Sequence, residues 1–162
     1  MEPIIYDSLD WHMKGDIAKD IKPEQVAVYI GFYLRWLFEN DFLSDDILAK
    51  NEVDWVALDE GATTGGKLLQ KFGGQITSNM LNVDGILFTN LYYLNGCFYA
   101  NLEQALAEME GVQKDDAHAM YRIPESEANY QIIKARIDFY MQETMRFTLR
   151  FLLNTVESND EE

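Results

Sequence analysis

Between Pro23 and Asn40 the apolar positions fall on two adjoining helical stripes. Val26, Ile30, Tyr33 and Leu37 make one, and Tyr29, Phe32 and Trp36 the next. A stretch that is apolar nearly all round reads as a central helix buried on several sides. Pro23 suits its first turn, where a missing N–H has no partner to lose, and Glu24 places negative charge at the positive end of the dipole. Gly31 sits mid-helix at a cost of about 1 kcal/mol against alanine, and it predicts another helix in close approach.

The remaining pattern gives three more long helical segments. Ser44 is a good N-cap for a helix running from Asp45 through Ile47, Leu48, Val53 and Val56 to about Leu58. A third segment starts near Val83 or Asp84 and runs to about Glu110, with Asn95-Gly96 as a break or kink. A last helix spans about Glu125 to Val156, its apolar side supplied by Ile133, Ile137, Tyr140, Met141, Phe147, Phe151 and Leu152. Between the second and third lies a glycine-punctuated stretch, Gly61, Gly65, Gly66, Gly73 and Gly74. The KLLQKF inside it reads as one helical turn or a short strand.

Residues 1–22 read as an irregular arm pinned to the core by Ile4, Ile5, Leu9, Trp11, Met13, Ile17 and Ile21. The fold class is therefore all-α: about four long helices, the N-terminal arm and a glycine-rich loop, with room for a small β element. Residues 1–156 form one domain, and 157–162 read as a disordered acidic tail.

Charge narrows the partners. The chain of 162 residues carries 28 acidic and 13 basic side chains, a formal charge of −15. Without the four acids of the tail the charge is still −11, so the acidity belongs to the folded body. Such a field repels phosphate backbones and excludes nucleic acid as the expected partner, while it attracts basic proteins. A single cysteine, Cys97, excludes an internal disulfide, and two histidines exclude a His-rich metal site. The N-terminus has no basic region followed by an apolar run, and no stretch approaches the roughly 20 apolar residues of a membrane span. These features predict a soluble cytoplasmic protein with no cofactor, no metal and no membrane partner. They do not set an oligomeric state.

Several pieces occur in a recognisable order. Tyr6-Asp7-x-x-x-Trp11-His12-x-x-Gly15-Asp16 opens the chain, followed by Ala27-x-x-Ile30-Gly31-x-x-Leu34-x-Trp36. Gly74-Gln75-Ile76-Thr77-Ser78-x-x-Leu81-Asn82-x-x-Gly85 comes next. Tyr121-Arg122-Ile123-Pro124 and Asn129-Tyr130 complete the set. Together they resemble an uncharacterised bacterial family of small acidic proteins, a domain of unknown function. Gly15-Asp16-Ile17-Ala18 departs from the family's usual "GDFP". The resemblance implies a bacterial, soluble, mainly helical domain and carries over no activity and no catalytic residue.

Candidate chemistry is sparse. Gly61-Ala-Thr-Thr-Gly-Gly66-Lys67 meets the first seven positions of a nucleotide-binding loop. Leu68, however, stands where the magnesium-ligating Ser or Thr belongs, and Asp59 and Glu60 precede the loop and repel phosphate. The alternative is a plain turn-forming loop. His12, with Asp10 and Asp16 nearby, has the composition of a general base with an orienting acid. The simpler reading has Trp11 anchoring the arm and His12 capping backbone groups. Asp45-Asp46, Asp59-Glu60 and Asp115-Asp116 lack the spacing of a calcium loop. Cys97 reads as a small buried side chain, and Arg146 and Arg150 as partners for neighbouring acids.

With no convincing catalytic set, the sequence points to an acidic binding or inhibitor protein. Its most concrete form is an immunity protein that occludes the active site of a cognate basic toxin. The expected surface is the second helix and the loop after it: Asp45, Asp46, Glu52, Asp54, Asp59 and Glu60. Two alternatives differ in class. One is a small-molecule binder or enzyme using the His12/Asp16 cluster or the Gly61–Lys67 loop. The other is a structural protein or homodimer.

Overall fold

A computed structural model describes residues 2–159, with side chains described as far as Phe147. The all-α class holds. The described residues form eight α-helices, two short 3₁₀ turns and one two-stranded antiparallel sheet. In chain order the elements are β1 (Ile5–Ser8), α1 (Leu9–Met13), α2 (Pro23–Glu39), α3 (Asp45–Lys50), α4 (Glu52–Asp59) and α5 (Gly65–Lys71). Then come β2 (Gln75–Thr77), α6 (Val83–Tyr92), α7 (Cys97–Ala105) and α8 (Glu127–Asn159). The 3₁₀ turns cover Ser78–Met80 and Ala119–Arg122.

Helix α2 is the axis of the core, with Tyr29, Ile30, Tyr33, Leu34, Trp36 and Leu37 fully buried. It packs most extensively on α5, and glycines make that approach possible. A Cβ on Gly31 would stand 2.1 Å from the Gly66 nitrogen, and one on Gly65 would stand 2.0 Å from the Gly31 oxygen. The two backbones touch, so the entropic cost of Gly31 is offset by the contact it allows.

Polar side chains join α2 to α8 on the other side. Arg35 donates to Glu39 at 2.8 Å and to Glu127 at 2.6 Å, with its guanidinium 3.9 Å from the centre of the Tyr130 ring. The Tyr130 hydroxyl donates to Glu39 at 2.7 Å, and the Trp36 indole N–H to Asp138 at 2.7 Å. Buried Asn129 ties the 110–124 connection to α8. Its amide donates to the Glu110 and Pro124 carbonyls, and its side-chain oxygen accepts from the Glu110 N–H.

Two elements depart from the sequence reading, and a third divides where that reading expects. The arm is not irregular throughout: β1 pairs with β2 in the register Asp7↔Ile76 and Ser8↔Gln75, with an irregularity between Ile5 and Asp7. That irregularity breaks the alternation of a strand, so Tyr6, Asp7 and Ser8 are all buried. The helix expected over 45–58 is divided at Asn51 (φ −131°). The Asn51 amide and the Trp55 indole both donate to the Ile47 carbonyl, which ends α3. The third segment is divided too, as Asn95-Gly96 foretells, with Gly96 at φ +75°. Of the tail read over 157–162, the first three residues belong to α8 and the last three lie outside the described residues.

Candidate functional site

The opening motif meets the rest of the chain at one buried carboxylate. β1 carries Asp7 inward, 1% exposed, and α1 follows without a loop and brings His12 back over it. Asp7 Oδ1 accepts from its neighbour's backbone, Ser8 N–H, at 2.7 Å and lies 2.8 Å from His12 Nε2. Asp7 Oδ2 accepts from the Tyr99 hydroxyl at 2.6 Å and from the Tyr93 hydroxyl. The Tyr29 hydroxyl lies 2.8 Å from the same His12 Nε2, and the Tyr121 hydroxyl 3.0 Å from Nδ1. Six side chains from β1, α1, α2, the α6–α7 turn, α7 and the 110–124 connection therefore share one network.

The electrostatics follow from that arrangement. Burial pushes the Asp7 carboxyl up. Hydrogen bonds from His12, Tyr93 and Tyr99, with the charge of His12, outweigh burial and hold the carboxyl below its ordinary value. Burial, reinforced by the Asp7 charge, pushes Tyr29, Tyr93, Tyr99 and Tyr121 up. The hydroxyls stay neutral, and those of Tyr93 and Tyr99 donate to Asp7.

Asp7, His12 and Tyr121 line up as carboxylate, imidazole and hydroxyl, an order that also serves nucleophilic catalysis. The Tyr121 hydroxyl is harder to ionise than a free tyrosine, however, and both ring nitrogens of His12 are bonded within the cluster. A neutral ring donates from Nε2 to Asp7 and accepts from Tyr121 at Nδ1. An imidazolium donates at both. The His12 bonds to Asp7 and Tyr121 are satisfied in either state, and the arrangement suits a structural hub.

This corrects several expectations. Among the described residues the His12 ring bonds side chains and caps no backbone group. Trp11 is no anchor, being 53% exposed. Asp16 is exposed and Asp10 pairs with Lys14 at 2.9 Å, so the acid that orients His12 is Asp7. Within the motif, Tyr6 is buried with its hydroxyl donating to Asn90 at 2.9 Å, and Gly15 closes α1 by donating to the His12 carbonyl at 3.0 Å. In sequence the hub tyrosines Tyr93 and Tyr99, within YYLNGCFYANL, read as ordinary core.

The glycine loop is a helix start. Thr64 caps α5 by accepting from Lys67 N–H at 3.4 Å, and Glu125 accepts from Gly66 N–H at 2.8 Å. In a nucleotide loop, phosphate would take that place; here the chain's own carboxylate holds it. Cys97 is half-buried, its Sγ 3.8 Å from the Tyr140 hydroxyl. Arg146 pairs with Glu143 at 3.2 Å, while the Arg150 side chain lies outside the described residues.

The acidic surface divides into two kinds of residue. Asp54 turns back to Lys71, at 2.6 and 2.8 Å, and Asp46 pairs with Lys50 at 2.9 Å. Asp45, Glu52, Asp59 and Glu60 are exposed. On α4 the turn spacing places Glu52, Val53, Val56, Asp59 and Glu60 on one face, and Val53 is 82% and Val56 49% exposed.

Fold and hub together define a mainly helical acidic domain whose N-terminal strand and helix are keyed to its core by a buried aspartate–histidine pair. Residues 5–122 match a domain of unknown function (DUF7832), and the chain belongs to that family. The match takes in all six hub residues and α4, while α8 lies beyond it. Neither a curated protein nor a solved structure matches the chain. No helix among the described residues is long and apolar enough to cross a membrane.

Proposed function

We propose that this domain is an acidic binding and inhibitor protein, most concretely an immunity protein that covers the active site of a basic toxin. The observation that carries the reading is the outer face of α4, where exposed Val53 and Val56 lie among Glu52, Asp59 and Glu60. Interfaces draw affinity from a few desolvated apolar anchors, and rim charges set encounter rate and orientation. The α4 face supplies both kinds of group. The net charge of −15 adds long-range attraction for a cationic partner. Inhibition is steric: the partner's basic site is filled by carboxylates that stand in for its substrate's charge.

The test is capture by the tagged chain from its native cell at low and high salt, read by mass spectrometry. A stoichiometric basic protein, partly released by salt, is the expected result. A chain that emerges alone at low salt removes this reading.

A further inference from the structure

Beside the exposed valines lies a shallow cavity of about 370 Å³. Its apolar wall is Phe38, Leu48, Trp55 and Val56, and its rim is Glu52, Asp59 and Glu60. The floor is preformed. Phe38 stacks on Trp55 with centroids 5.2 Å apart and planes at 17°, Phe72 backs Trp55 at 5.2 Å, and the indole N–H is fixed on the Ile47 carbonyl at 3.0 Å. The rim differs from the other acids of this region. Asp46 and Asp54 are bonded to lysines, whereas no described cation of the chain pairs with Glu52, Asp59 or Glu60.

We infer that this groove takes an arginine side chain of a protein partner. The inference rests on the inhibitor reading above and names the chemistry of its contact. An apolar floor under an unpaired carboxylate rim matches a side chain with a methylene stem and a cationic tip. Arginine fits better than lysine, because guanidinium is more weakly hydrated, lies flat on apolar and aromatic surface, and presents a fork to carboxylates. Neutral aliphatic side chains leave the rim unanswered, and acidic ones are repelled by it.

The test is an NMR titration of the isotope-labelled chain with the capped peptide Gly-Arg-Gly, alongside peptides with lysine or citrulline in its place. Citrulline keeps the shape of arginine and removes the charge. Saturable shifts of the Trp55 indole and the α4 amides are expected, with a dissociation constant on the order of 1 mM. The citrulline peptide should bind at least about tenfold more weakly, and Asp59→Asn/Glu60→Gln should weaken the arginine peptide by a similar factor. Equal shifts from the citrulline or lysine peptide overturn the inference. So do shifts scattered over Asp45, Asp46 and the other acids with Trp55 unmoved. The capture experiment separates the two claims. A captured basic partner with a silent groove removes the arginine site alone, and a responsive groove with no captured partner removes the inhibitor reading alone.

Discussion

Asp7 and His12 stand 2.8 Å apart, one at the end of a strand and the other in the helix that follows it. The pair is the point where the N-terminal arm is locked to α2, α7 and the 110–124 connection. Removing one partner of a buried hydrogen-bonded pair costs about 3–5 kcal/mol, since the other is left uncompensated. Asp7→Ala should lower stability by that amount in urea unfolding. His12→Ala should cost less, about 1–3 kcal/mol, because Tyr93, Tyr99 and Ser8 still bond the carboxylate. Trp11→Ala should cost under about 1 kcal/mol, as befits an exposed surface position. A Trp11 variant weaker than the His12 variant would return the anchoring role to the tryptophan.

The hub also sets the pH dependence. Asp7 has a lowered folded-state pKa, so its contribution is complete above the ordinary aspartate range and disappears as pH falls through the lowered value. Glu39 behaves alike: bonds from Tyr130, Lys134 and Arg35 outweigh its burial. The tyrosines work in the opposite sense. Their raised values add stability that is complete below about pH 10 and is lost as pH climbs beyond it. Urea midpoints measured across pH should fall at both ends, and Asp7→Asn should flatten the acid limb while burial of the tyrosines keeps an alkaline limb, shallower for the lost Asp7 charge. An acid limb identical in the variant contradicts this assignment.

The glycines of the α2–α5 contact differ in kind from those of the loops. Gly31→Ala drives a Cβ into the Gly66 backbone and should cost at least about 3 kcal/mol, the upper end of overpacking. Gly61→Ala meets open space and carries only the strain of φ +71°, about 1 kcal/mol. Thermal melts of the two variants distinguish a packed position from a turn.

Glu125 gives a fourth prediction. It accepts from the Gly66 N–H at the start of α5, so Glu125→Ala should destabilise by about 1 kcal/mol, the usual loss of a helix cap. Magnesium and ATP should leave the melting temperature of the wild-type chain unchanged. A nucleotide-dependent rise would show that the Gly61–Lys67 loop opens to phosphate.

Much of the fold was legible because helix α2 is written in sequence by its stripes, its Pro23 start and its single Gly31. The division at Asn51 was not, because it depends on the Ile47 carbonyl being taken by the side chains of Asn51 and, from the next helix, Trp55. In the hub, His12 stood out while its partner did not. Asp10 and Asp16 flank it along the chain, but the irregular pairing of β1 turns Asp7 inward instead. The tyrosines arrive from as far away as residue 121. Long-range polar convergence has no local period, and apolar rings with one polar tip read as core until the fold shows where the tips meet. The acidic surface was visible as composition. Which acids are spoken for, such as Asp54 with Lys71, depends on how α4 and α5 pack.

Paired capture tests whether the α4 face holds a basic partner. Wild-type chain and a Glu52→Lys/Asp59→Lys/Glu60→Lys variant, each shown to be folded by circular dichroism, are used as bait in the same native extract at low salt. One stoichiometric basic protein is expected on the wild-type chain and is expected to be lost from the variant. Equal retention on both chains, or a wild-type chain that holds nothing, would contradict it.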